Sequence, residues 1–185
     1  MYDFKHNEMR KSLLLLLLLS VCELLTAQRI KVSKEYDKFT KQEVVETSME
    51  NLYTKHFMGL GASNMFSCAI RKVDGNWVMV AKILMHDIVK YDENSGVIFL
   101  LSNDEIVELK SLYTGVGGKR LLYGYLFETV YQLSSDDIDK LKNADILSVR
   151  ITFLGGSYDC DLTKKRQKIV AKMLKIVKDE AGRVG

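Results

Sequence analysis

A chain of 185 residues with a formal net charge of +3 has room for one domain of ordinary size and a targeting segment besides. A charge this mild excludes the footprint of a dedicated nucleic-acid binder, for which a pI above about 9 is the mark. A domain of roughly 150 residues buries about 70% of its unfolded surface, so a hydrophobic core is expected to hold it without disulfides or metal.

Residues 1–27 read as a segment apart from that domain. Arg10 and Lys11 precede Ser12 and an unbroken apolar run from Leu13 to Leu19, and apolar character continues past Ser20 and Glu23 to Leu25-Thr26-Ala27. A positive end, an apolar run and a small residue at the cut make a secretory signal peptide, with cleavage expected between Ala27 and Gln28. A retained anchor is the alternative, but a span needs about 20 predominantly apolar residues and the polar Ser20 and Glu23 shorten this one. Lipidation of Cys22 is a third reading, against which Val21 stands where a small residue belongs. The segment carries Lys5, Arg10 and Lys11 against Asp3, Glu8 and Glu23, so its removal leaves the net charge unchanged. The expected address is the periplasm or the cell exterior, with or without membrane attachment. Cys68 and Cys160 then remain, and an oxidising compartment allows them to pair as readily as burial allows them to stay free.

From Gln28 to Lys41 the chain is charged and weakly patterned, which suits an exposed strand or arm. Glu43 to Met49 holds a short β-prone run around Val44 and Val45. Asn51 to Ser63 follows and contains His56; its cluster Gly59-Leu60-Gly61-Ala62-Ser63 reads as a loop. Met65–Val73 and Asn76–Leu84 form the first clear hairpin, because Asp74-Gly75 can supply the positive φ angles of a tight primed turn. Trp77, Met79, Ala81 and Ile83 fall on one face of its second strand and Val78, Val80, Lys82 and Leu84 on the other, so that strand is expected near the middle of the core.

His86 to Tyr91 reads as extended, and Val97–Leu101 with Glu105–Leu112 as a second hairpin across the polar break at Ser102-Asn103-Asp104. Thr114 to Lys119 carries three glycines and reads as the most flexible segment. Its Gly117-Gly118-Lys119 fails as a phosphate loop, since Tyr113 stands where the first glycine belongs and Arg120 where Ser or Thr belongs. Leu121 to Leu133 is a long aromatic strand. Ser134 or Ser135 then caps a short helix whose first turn is acidic, as the helix dipole favours. Ile146 to Leu154 is a further strand, ended by Gly155-Gly156. Thr163 to Glu180 is expected to be helical, with Ile169, Val170, Met173, Leu174 and Val177 on one face and Gly182 as its stop.

The start Tyr36-Asp37-Lys38-Phe39-Thr40, the hairpin meander, Tyr131-Gln132-Leu133-Ser134 before an acidic helix, and Ile151 in a returning strand together resemble small exported proteins, periplasmic or secreted, of Bacteroidota. The Ala27-Gln28 junction is similar to signal ends common in that group. The resemblance implies an envelope location and carries over no activity.

Candidate chemistry is sparse. His86-Asp87 is an adjacent His/Asp pair and, with His56, the start of an acid-base or metal site; as a pair of ordinary surface residues it needs no function. Ser157 after Gly155-Gly156 lacks the nucleophile-elbow pattern. Asp159 and Asp161, like Asp136, Asp137 and Asp139, lack the glycine and terminal glutamate of a calcium loop and read as helix caps. Tyr113, Tyr123 and Tyr125, with Phe127 and Tyr131, could line a ligand groove or simply fill the sheet. Lys164, Lys165, Arg166, Lys168, Lys172, Lys175 and Lys178 bring seven cations into fifteen residues without an acid, so residues 163–180 either lie on a membrane surface or dock their apolar face on the sheet.

The expectation is therefore an α+β domain over residues 28–185. It is an antiparallel β-meander of about seven to eight strands, sandwich or half-barrel, with a short helix before the last strand and a C-terminal helix packed on the sheet. No cofactor, metal or nucleic acid is implied. Expected of it is a non-enzymatic binding or interaction module of the cell envelope, taking an envelope ligand or protein partner. A hydrolase using His86 and Asp87 and a membrane-surface protein acting through the basic helix are the alternatives.

Overall fold

Asp74 and Gly75 adopt φ of 47° and 84°, the two positive values that a primed turn requires. They join β4 (Ala62–Val73) to β5 (Asn76–Met85) in register from Met65↔Leu84 to Val73↔Asn76. This hairpin is the middle of the larger of two main sheets in a computed structural model that describes residues 30–36, 38, 41–56, 62–116, 118–121 and 124–182. The segment 1–27, its Ala27-Gln28 junction and Tyr123 lie outside the described residues. The elements described all belong to a unit running from Lys31 onward.

The larger sheet has the order β1 (Val32–Tyr36), β2 (Glu43–Thr47), β4, β5, β11 (Gly124–Leu133), β10 (Lys119–Leu121), and β3 (Glu50–His56) also pairs with β4. All of these pairs are antiparallel. β2 and β3 are successive partners of the same edge of β4, separated by a step at Ser48-Met49. Thr47 fills that step: its Oγ1 accepts the Ile70 N–H at 3.0 Å, the bond a ladder carbonyl would otherwise make, and lies 3.3 Å from Met173 Sδ. The smaller sheet has the order β13 (Gly156–Asp161), β12 (Ile146–Phe153), β7 (Gly96–Leu101), β8 (Ile106–Lys110). A two-residue ribbon pairs β6 (Lys90–Tyr91) with β9 (Gly115–Val116).

Alternation decides what faces inward. Met79, Ala81 and Ile83 of β5 are fully buried, as are Val97, Phe99 and Leu101 of β7, as the period of two demands. The two inner faces meet where the Phe66 and Phe99 rings pack edge to face, 6.3 Å between centroids. The sheets are joined at Ser111↔Tyr131, where the Leu112 N–H donates to the Val130 carbonyl at 2.9 Å and the Ser111 and Thr129 hydroxyls share a 2.6 Å bond. On the other side, the Tyr53 and Tyr158 hydroxyls lie 3.2 Å apart.

Helix α1 (Ser135–Asn143) begins at a capping box in which Ser134 Oγ accepts the Asp137 N–H and the Asp137 carboxylate accepts the Ser134 N–H, an arrangement worth about 1 kcal/mol. Helix α2 (Ile169–Ala181) packs on β2 and β4 through Val170, Met173, Leu174 and Val177, all of them fully buried.

The α+β class, the antiparallel pairing and the packed C-terminal helix agree with expectation; several details do not. Thirteen strands are present among the described residues where about seven to eight were expected, because short ribbons and a divided strand pair add segments that carry no periodicity of their own. Glu50–His56 is a strand in a stretch that was given no element, and of the cluster read as a loop Ala62 and Ser63 belong to β4 while residues 59–61 lie outside the described residues. Thr114–Lys119 is partly paired, through β9 and the start of β10. Gly155-Gly156 ends no domain edge but turns β12 into β13, so α1 precedes a final hairpin and not a last strand. Asp159 and Asp161 therefore sit on β13 and cap no helix. The terminal helix starts at Ile169 instead of Thr163, since Lys168 offers no side-chain cap and residues 164–168 turn. Gly182 stands at the helix end with φ of −83°, so it makes no left-handed stop.

Candidate functional site

β11 pairs with β5 along nearly its whole length, from Tyr125↔Met85 to Leu133↔Trp77. Its other edge is covered in two pieces. β10 covers Gly124 to Leu126, and the extension of β8 covers Val130 and Tyr131. Between these pieces lies a cleft of about 390 Å³ lined by Tyr113, Gly118, Lys119, Leu126, Phe127 and Glu128. Its size is within the usual range of small-molecule pockets, about 300 to 1,000 Å³.

The glycines of this region are explained by close approach. A Cβ on Gly118 (φ +136°) would stand 3.0 Å from Phe127 Cζ and 3.2 Å from the Leu126 carbonyl oxygen, and one on Gly115 would stand 3.0 Å from Tyr113 Oη. The main chain thus lies against the Phe127 ring, and Tyr113 folds back over Gly115. Glu128 is committed to Lys82 at 2.9 Å. Lys119 is exposed, and no carboxylate pairs with it among the described residues, so the free charge of the lining is positive.

Beneath the cleft, the Phe127 ring packs against Tyr91 at 5.9 Å. Tyr91 and Tyr131 are 4% and 0% exposed, and their hydroxyls interact with each other and with no other polar group. Burial pushes both phenols above their ordinary pKa, and in Tyr131 the neighbouring Tyr91 adds to the rise. Both therefore stay protonated across the physiological range.

The residues singled out in the sequence are distributed as follows. Tyr113 lines the cleft, while Tyr125 stands half-buried opposite Met85 and Arg120, outside its lining. His86 and Asp87 follow β5 and are both exposed; the His86 N–H donates to Asn64 Oδ1 at 3.3 Å. His56 closes β3 and is exposed as well. No group of three His, Cys, Asp or Glu residues placed to hold a metal occurs among the described residues. Asp159 makes a two-point pair with Arg150, at 2.7 and 2.8 Å, which holds its carboxyl below the usual range. Cys68 and Cys160 are free and buried. Burial, helped by Asp159 and Asp161, pushes the Cys160 thiol up to about 12, and burial raises Cys68 as well, so neither is a nucleophile at neutral pH. Phe127, read in the sequence as a groove candidate, does line the cleft, whereas Leu126 and Glu128 were not foreseen; the glycines beside Tyr113 were the other signal that pointed there.

In α2, Lys172, Lys175 and Lys178 form the solvated side, whereas Lys164, Lys165 and Arg166 precede the helix and Arg166 donates to Asn51 Oδ1 at 2.9 Å. Among the described residues, no helix is long and apolar enough to cross a membrane. Compared with protein-family models, with curated proteins and with solved structures, the chain matches none.

Proposed function

We propose that this is an exported, non-enzymatic binding module of the cell envelope, akin to the small exported Bacteroidota proteins it resembles, and that it takes its ligand at the edge of β11. The single observation that carries the reading is the cleft between the two pieces of chain covering that edge. Binding needs an apolar concavity with a few polar groups, and Leu126, Phe127 and Tyr113 with Lys119 supply both. We read the two sheets, joined at Ser111 and Tyr131, as a half-barrel whose incomplete seam is this cleft. Export rests on the signal-like segment 1–27.

The test is a binding screen of envelope glycans and peptides together with a turnover assay on generic esters. Tyr113→Ala is expected to weaken any ligand found by about tenfold, the order of one lost aromatic or polar contact, with the thermal midpoint unchanged because Tyr113 is 47% exposed. His86→Ala and Asp87→Ala are expected to leave binding as it is. Ester turnover by the parent that vanishes in the His86 and Asp87 variants would instead make the protein a hydrolase.

A further inference from the structure

The charges and surfaces around the cleft are one-sided. Glu128, the acid of its lining, is tied to Lys82, whereas Lys119 has no counter-charge. Lys90, paired in register with Val116 across the β6–β9 ribbon, is also an exposed cation without an ion pair among the described residues. At the mouth, Leu112 and Val116 stand 63% and 59% exposed next to Tyr113. Apolar surface gathered in one place is informative where a lone exposed leucine is not.

From these observations we infer that the cleft binds an amphipathic organic anion: a molecule with a carboxylate or phosphate group held at Lys119 and an apolar body lying on Tyr113, Leu126 and Phe127. This rests on the reading of the cleft as a binding site and goes further by naming the chemistry. The cationic rim concentrates anions at the mouth and repels cations. The exposed Leu112 and Val116 extend the apolar wall beyond the cavity, which suits a chain longer than the cleft is deep. A free carboxylate and the headgroup region of an anionic lipid share this chemistry.

The experiment is calorimetric titration of the full chain with decanoate, decanol and decylamine, followed by competition with phosphatidylglycerol vesicles. Decanoate is expected to bind at least about tenfold more tightly than the alcohol or the amine, the size of one charge-assisted contact. Lys119→Glu should remove that preference without moving the unfolding midpoint. Displacement of decanoate by the vesicles assigns a lipid source, and no displacement assigns a free carboxylate. Equal binding of decylamine, or indifference to Lys119→Glu, overturns the inference. Glycan or peptide binding that is lost in Tyr113→Ala, with no decanoate binding, would overturn the anion while leaving the binding module intact.

Discussion

A chain ending at Asp161 is expected to lose its cooperative unfolding transition. The deletion removes α2 with Val170, Met173, Leu174 and Val177, all fully buried against β2 and β4. Each such side chain contributes about 1.5 to 3 kcal/mol when fully buried, and four of them approach the whole 5 to 15 kcal/mol margin of a typical domain (about that range). The loss is larger than the side chains alone, because the Gln167 carbonyl accepts the Ile146 N–H at 3.1 Å and the Leu162 N–H donates to the Leu147 carbonyl at 2.9 Å. β12 would lose both anchors. A milder version, Leu174→Ala, should cost about 2 to 5 kcal/mol. Urea titration followed by circular dichroism reads both. A truncated chain with an unchanged midpoint, and with anionic-vesicle binding lost, would show that the helix serves a membrane surface and not the core.

Gly96→Ala is expected to cost far more than the one methyl group it adds would suggest. A Cβ there would stand 2.1 Å from the Leu109 carbonyl oxygen and 3.2 Å from Lys110 Cα. These are main-chain atoms inside the β7–β8 ladder, where Gly96 pairs with Lys110, and they cannot swing aside as a side-chain tip can. The Gly96 N–H also donates to Thr152 Oγ1 at 2.9 Å, so moving Gly96 away loses its tie to β12. Overpacking of this kind costs about 3 kcal/mol or more. Gly75→Ala is the control: its φ of 84° is strained for alanine, yet nothing lies within 4 Å of the added atom, and a cost of about 1 to 2 kcal/mol follows. If the two variants melt alike, the β7–β8 ladder yields to the added methyl and close packing does not govern Gly96.

What the sequence revealed was whatever is decided over a few residues. Asp74-Gly75 encodes its turn by φ alone, so the β4–β5 hairpin was readable in register, and the apolar spacing from Val170 to Val177 marked the buried face of α2. β13 escaped because Gly155-Gly156 looked like an end. The alternation Ser157, Tyr158, Asp159, Cys160, Asp161 after it, with Tyr158 and Cys160 turned inward relative to their neighbours, was the available signal of an edge strand. The first turn of α2 was misplaced because apolar periodicity says where a face lies and little about where the helix starts. The cleft was half legible. Tyr113 and the glycines named its rim, but Leu126, Phe127 and Glu128 become a wall only because β10 stops pairing at Leu126 and β8 resumes at Val130, a fact of long-range pairing that no local pattern records.

Two free thiols among the described residues, one in each main sheet, make the protein its own probe of how it opens. Cys68 lies in the middle of the large sheet on β4 and is 0% exposed; Cys160 lies on β13, the edge of the small sheet, at 1%. Neither is reactive while buried, so alkylation at each follows the fraction of time its own sheet is open. Equal labelling rates under native conditions would mean that the sheets part and unfold as one cooperative body. Faster labelling of Cys160 would mean that the β12–β13 hairpin detaches first, with Ser111 and Tyr131 still holding the remaining strands together.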